Sequence, residues 1–276
     1  MEIRQRALDA LCLPDPAEKA AAAMALHRDF DLLALAANAP VPPADPDALP
    51  GRPARPALLP HTEVARRSPA TPLGRAVLMH AVAHIELNAI NLALDAVWRF
   101  DGMPPGYYRD WVQVAAEEAH HFTLLRNHLK AQGHDYGDFP AHQGLWTMCE
   151  RTAHDVVARM ALVPRTLEAR GLDATPPMQN KLRNTHAADA LDAVAILDVI
   201  LRDEIGHVAI GNRWYRWLCD RDGLEPVAHY RQLTRQHHAP RPKPPLNRQA
   251  RLLAGFTDEE LAADIIGAPG PSPEAS

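Results

Sequence analysis

Two segments of this chain share one chemical pattern, an acid followed by Glu-x-x-His. They are Glu117-Glu118-Ala119-His120-His121 and Asp203-Glu204-Ile205-Gly206-His207. On a helix, residues three apart lie one above the other on the same face. Glu118 with His121, and Glu204 with His207, can therefore each bring a carboxylate and an imidazole to one point. Two such pairs facing each other make a pocket for two metal ions, so the pattern asks for two helices packed face to face. In a His-rich chain of this length about one Glu-x-x-His is expected by chance, and the neighbouring residues must decide. The face of the first pair carries Trp111, Val114, Ala115, Phe122, Leu125 and Leu129. That of the second carries Ala193, Leu197, Ile200, Val208, Gly211 and Trp214. Each pair is a polar island on an apolar stripe, and a buried carboxylate beside a buried imidazole is costly unless paired or metal-bound. A satisfied core pair without metal is the alternative for Glu204 and His207. The overlapping match, Glu117 with His120, lies with Asp110, Gln113 and Asn127 on a polar face and is rejected as a ligand pair.

Two further carboxylates can be sought in the same way. The segment from Thr71 to Phe100 has a helical stripe of Met79, Ala83, Glu86, Ile90, Ala93 and Val97, with Glu86 its only charge. Three residues later stands Ala89, as expected of a helix that gives one Glu and no His. The other candidate is Glu168, which shares a face with Val157, Ala161 and Pro164. Pro164 should kink that helix by removing a backbone donor. Glu150 is the rival, placed before the helix because Thr152-Ala153-His154-Asp155 resembles a helix-start cap. The order along the chain is then Glu, Glu-x-x-His, Glu, Glu-x-x-His.

Glu86, Glu118, His121, Glu168, Glu204 and His207 together resemble the ligand set of the ferritin-like di-iron carboxylate superfamily. The stretches His84-Ile85-Glu86-Leu87, Leu162-Val163-Pro164-Arg165-Thr166-Leu167-Glu168-Ala169-Arg170-Gly171-Leu172 and Arg202-Asp203-Glu204-Ile205-Gly206-His207-Val208-Ala209 are similar to an uncharacterised bacterial family of ferritin-like domain proteins. The likeness spans most of the chain, from about Thr71 to Leu261. Its ligand order also resembles that of the tRNA-modifying non-haem di-iron hydroxylases. The resemblance implies an all-α fold, a ferritin-like four-helix bundle. It also implies that the acid before each Glu bonds the metal-bound His of the facing helix, a position Glu117 and Asp203 match. Oxygen-activating members usually have Arg just before the His, where this chain has His120 and Gly206.

The rest of the chain agrees with a helical reading. Ala and Leu dominate the periodic segments, and no alternating strand run or hairpin turn stands out. Residues 1–70 read as two short helices, Met1 to Leu13 and Asp15 to Arg28, followed by a Pro-rich arm from Ala39 to Pro60 anchored by Leu49, Leu58 and Leu59. Residues 71–222 read as the bundle. Helix one spans about Thr71 to Phe100, and the Asp101–Gly106 break returns helix two antiparallel. Helix two stops at Gly133. Residues 133–151 are long enough to cross the bundle and make helices two and three parallel, with a short helix near Leu145. Helix three is expected to end near Gly171, Pro176 to Thr185 to form a short connecting helix, and helix four to span about Ala187 to Arg221. Residues 223–276 read as a second Pro-rich arm, a helix near Asp258 to Ile265 and a disordered tail. His80 and His84 continue through Asn88, Asn91 and Asp95, which reads as a polar helix face rather than a metal site. His237-His238 reads as solvated loop, and Trp214, Tyr215 and Trp217 as core and interface.

Carboxylate and imidazole donors at a two-metal site suit two iron ions, or manganese or a mixed pair, better than zinc. The expected function is an oxygen-dependent oxidoreductase, a hydroxylase or oxidase acting with dioxygen on an organic substrate. Its electrons come from an external donor, since nothing resembles a flavin or nicotinamide motif. A ferroxidase or iron-storage protein and a non-enzymatic metal-binding scaffold are the alternatives. The net charge of −5 argues against a general nucleic-acid binder while leaving tRNA open. Cys12, Cys149 and Cys219 are odd in number and widely spaced, which fits a reducing cytoplasm. No secretory signal is evident, and no apolar run is expected to span a membrane. The assembly is expected to be a monomer or homodimer.

Overall fold

A computed structural model describes residues 2–45, 48–60, 62–64, 67–142 and 144–265. The disordered tail expected past Ile265 lies outside the described residues. The chain is all-α, with eleven α-helices and no strand among the described residues; two isolated bridges, Glu2 to Ala34 and Leu58 to Ala141, are the only extended pairings there. In order the helices are α1 (Ile3–Cys12), α2 (Pro16–Arg28), α3 (Pro72–Arg99), α4 (Pro105–Ala131), α5 (Gly144–Arg151), α6 (Val156–Leu162), α7 (Ala169–Arg183), α8 (Ala188–Asp222), α9 (Pro226–Gln236), α10 (Arg248–Leu253) and α11 (Asp258–Ile265). A π-helical turn, Val163–Glu168, joins α6 to α7 without a break.

The caps explain where the long helices start and stop. Thr71 accepts from the Gly74 amide at the start of α3, with Pro72 at its first position. Pro105 opens α4, and Gly223, at φ +66°, closes α8 in the left-handed conformation. α6 is capped by Asp155, which accepts from the amides of Val157 and Ala158 at 2.8 and 3.0 Å. Thr152 is therefore not the cap: its hydroxyl donates back to the Met148 carbonyl in α5.

Side-chain pairs set the helix directions. Between α4 and α8, Asp110 meets Trp214, Glu117 meets His207, and His121 meets Asp203, so the two helices run antiparallel. Tyr107 bonds the Ala96 carbonyl and His121 meets Glu86, so α3 and α4 are antiparallel too. After α4 the chain passes His80 and His84 at Tyr136–Gly137, then reaches Asp95 at Cys149. Residues 133–151 thus travel the length of α3. Arg159 of α6 starts beside Asp95, and Glu168 lies in the charged surroundings of Glu118, so this third helix runs parallel to α4.

Helix three does not end at Gly171. α7 carries on to Arg183 with Pro176 and Pro177 inside it. A proline at 176 cannot donate to the Leu172 carbonyl, and Asn247 Nδ2, from the start of α10, donates to that carbonyl instead at 3.1 Å. The helix survives because a segment distant in sequence fills its gap.

α1 and α2 pack against α3 and α4, and their Ile3, Leu8, Leu11, Ala23 and Leu26 belong to the main core. The Pro-rich arm lies along α3. Lys19 Nζ donates to the Gly51 carbonyl and to Asn91, the Trp98 indole donates to the Pro42 carbonyl, and the Leu59 amide donates to the Ala141 carbonyl. Beneath this cover the polar row of α3 is buried. His84 bonds Tyr136 and the His142 carbonyl, His80 accepts from the Gly137 amide, and Asp95 pairs with Arg99 and Arg159. α3 is also long and apolar enough to cross a membrane, contrary to the reading of the sequence alone. Its apolar stretch is 78% buried inside the fold, where it serves as the central helix.

Candidate metal centre

The inward faces of α3, α4, the π turn and α8 converge on one cluster of acids and imidazoles. Glu86, Glu118, His121 and Glu204 each offer a ligand atom, and these atoms lie within 4.8 Å of one another. All four are buried, and so are Glu168 and His207. Glu118 is central: Oε2 lies 3.3 Å from His121 Nδ1, and Oε1 lies 3.0 Å from His207 Nδ1. Glu86 Oε2 is 3.2 Å from His121 Nδ1, and Glu204 Oε1 is 4.0 Å from His207 Nδ1. The rings of His121 and His207 are 5.8 Å apart, centre to centre.

Both imidazoles turn Nδ1 inward and Nε2 outward. His121 Nε2 meets Asp203 of α8 at 3.1 Å, and His207 Nε2 meets Glu117 of α4 at 2.7 Å. Each acid that precedes a Glu thus holds the histidine of the opposite helix. In the neutral imidazole such a bond to Nε2–H fixes the ring and leaves Nδ1 as the lone-pair nitrogen facing the cluster. His120 is exposed, in keeping with rejection of the overlapping pair, and Gly206 has no side chain to add. Glu150, the rival to Glu168, is exposed in α5. His237 and His238 lie outside the cluster, just past α9.

Four buried atoms here have no hydrogen-bond partner: Glu118 Oε1, Glu168 Oε2, Glu204 Oε2 and His207 Nδ1. Glu118 Oε1 and His207 Nδ1 are close to each other but misaligned for a hydrogen bond. Orphaned buried polar atoms are rare and costly. Electrostatics tell the same story. Burial and then the Glu118 charge push Glu86 up to about 8, and Glu168 is pushed up to about 8 for the same two reasons. Burial raises Glu204 well above the usual carboxylate range. Burial also opposes ionisation of Glu118, but the His207 and His121 charges outweigh it and hold this carboxyl well below that range. Burial disfavours the His121 imidazolium, yet its bonds to Glu118 and Glu86 raise it to about 11. Burial disfavours the His207 imidazolium too, yet the Glu118 charge and the contacts with Glu117 and Glu118 together raise it well above the usual imidazole range. Left to itself, the cluster gathers protons to offset its carboxylates. A set of acids and imidazoles in this state could hold a metal ion in their place.

The molecule is thus an all-helical protein with a buried Glu/His cluster able to hold a metal ion. It belongs to the family described as "Protein of unknown function (DUF455)", whose model matches residues 12–262. A protein of Haemophilus influenzae described as "Uncharacterized protein" is 50% identical over 216 residues, covering 76% of this chain and 74% of its own length. No solved structure matches the chain.

The Glu-x-x-His pairs carried enough sequence signal to be found. The π turn is less legible, because Pro164 signals only a break and the Gly211 of α8 that faces it comes from a distant segment.

Proposed function

We propose that the α3–α4–α6/π–α8 core is a ferritin-like four-helix bundle housing a dinuclear metal centre. The ligands are Glu86, Glu118, His121, Glu168, Glu204 and His207, and the metal is iron, with manganese or a mixed pair the other choice. The observation that carries this reading is the cross-paired arrangement of the two histidines. Nδ1 of each faces Glu118, while Nε2 of each is held by an acid from the opposing helix. The four orphaned atoms fit two cations, whose charge would balance the four glutamates. An oxygen-rich donor set with one nitrogen per metal suits iron or manganese.

Two redox-active ions held together can share the electrons that reduce dioxygen. The protein residues then have separable tasks. Glu86, Glu118, Glu168 and Glu204 would supply the carboxylates that hold the ions. Glu117 and Asp203 keep the imidazoles in the tautomer that presents Nδ1. The surrounding apolar stripes exclude water. On this reading the protein is an oxygen-dependent oxidoreductase, a hydroxylase or oxidase of an organic substrate, taking electrons from a separate donor. The test is to load the protein with ferrous iron under nitrogen, admit dioxygen, and record optical and Mössbauer spectra with metal content. The reading expects coupled oxidation of two irons per chain, with both retained. Iron that does not bind, or that oxidises as unrelated single ions, would contradict it.

A further inference from the structure

Glu168 is the one proposed ligand that comes from a π-helical turn, and what shapes that turn lies outside the cluster. Two features make the turn. Pro164 removes a backbone donor, and Gly211 of α8 faces it so closely that an added Cβ would meet Pro164 Cβ at 2.4 Å. Thr166 Oγ1 donates to the Ala161 carbonyl, five residues back, at 2.8 Å, which matches the wider π spacing. Arg165, next to Thr166, is 1% exposed and points away into the C-terminal helices. Its guanidinium donates to Asn212 at 2.6 Å and pairs with Glu260 of α11 at 2.8 Å. The rings of Tyr215, Tyr230 and Phe256 lie 5.3, 4.9 and 4.7 Å from its central carbon. Tyr230 also bonds Thr166, so α9 and α11 grip two successive residues of the turn.

A buried arginine is costly to desolvate, and stability alone is a weak reason to keep one. Here the planar fork does something a methionine could not. It ties three separate elements to one short, irregular turn. We propose that Arg165 is a positioning residue, gripped by the C-terminal helices so that the π turn keeps Glu168 directed at the Glu/His cluster. The C-terminal region is then a working part of the centre, although none of its described residues is among the groups gathered at the cluster. The assignment of Glu168 as a ligand rests on the function proposed above, whereas the grip on the turn does not.

The experiment uses the full chain with Arg165→Met and, in case that variant fails to fold, the milder Glu260→Gln. Hydrogen exchange is measured on metal-free protein, and Co(II) binding is measured separately by equilibrium dialysis. Amides of Val163 and of residues 165–169 should exchange about tenfold faster in the variants, with α3 and α4 unchanged. One of two Co(II) ions should bind about 10- to 100-fold more weakly, and the variant in a Glu168→Ala background should cost nothing further. Unchanged exchange in the turn, or acceleration spread evenly over the chain in both variants, would overturn the proposal. Wild-type protein that takes up no metal would instead overturn the dinuclear reading, and the exchange data would still decide the role of Arg165.

Discussion

At the scale of single residues, the balance turns on who holds the histidine protons. Asp203 and Glu117 each accept from an outward Nε2, and that leaves an inward Nδ1 as the donor to a metal. Asp203→Asn and Glu117→Gln preserve size and remove the charge, so they should weaken Co(II) or Mn(II) binding by about 10- to 100-fold. Helical content should be untouched. Equilibrium dialysis beside circular dichroism checks this, and wild-type affinity in both variants would remove the cross-pairing from the account. Asp95 makes a different prediction. It is fully buried between Arg159 and Arg99, and Cys149 Sγ donates to it. Asp95→Ala leaves Arg159 buried and unpaired, which should cost about 3–5 kcal/mol in denaturant unfolding. A loss within about 0.5 kcal/mol, the range of an ordinary surface change, would mean that the network has no structural weight.

At the scale of helices, the sequence made α3, α4 and α8 legible because each joins a long apolar stripe to strong punctuation. Thr71 and the Asp101–Gly106 break mark ends that the structure keeps, and α8 runs to Asp222, one residue past the expected Arg221. α7 was hidden for a physical reason. Gly171 and Pro176-Pro177 are local stop signals, and the Asn247 amide that overrides them arrives from 75 residues away. No reading by periodicity can see such a partner. The His80–Asp95 row reads in the sequence as a polar helix face, but the 134–142 segment and the Pro-rich arm fold over it and bury it. That burial has a measurable result. Burial pushes His80 down to about 4, and its Nε2 accepts from the Gly137 amide. The unfolded chain, with an ordinary histidine near 6.5, binds this proton between about pH 6.5 and 4 while the folded chain does not. Stability from this group is therefore full above that window and lost as pH falls through it. Relative to wild type, His80→Gln should flatten the acid side of the stability profile. The same slope in both proteins would show that His80 is not held neutral.

At the scale of the whole molecule, the candidate site is enclosed by three long helices and one irregular segment, and the outer helices brace them. α1 and α2 cover α3 and α4, while α9 to α11 pack around α7, α8 and the π turn. An oxidoreductase needs metals that stay bound, and a storage protein needs a shell around mineral. With many equivalents of ferrous iron in air, the protein should remain a monomer or dimer by light scattering. A shell-sized assembly filling with ferric iron would favour storage instead. We propose the buried Glu/His cluster as a dinuclear metal centre that depends on Glu118 and Glu204. Its most direct test is metal content per chain, by plasma emission, for wild type and the Glu118→Ala/Glu204→Ala double variant purified side by side. We expect about two transition-metal ions in the wild type, as in the proposed bundle site, and almost none in a folded double variant. Full occupancy in the double variant, or none in a wild type reconstituted with iron and manganese, would contradict it.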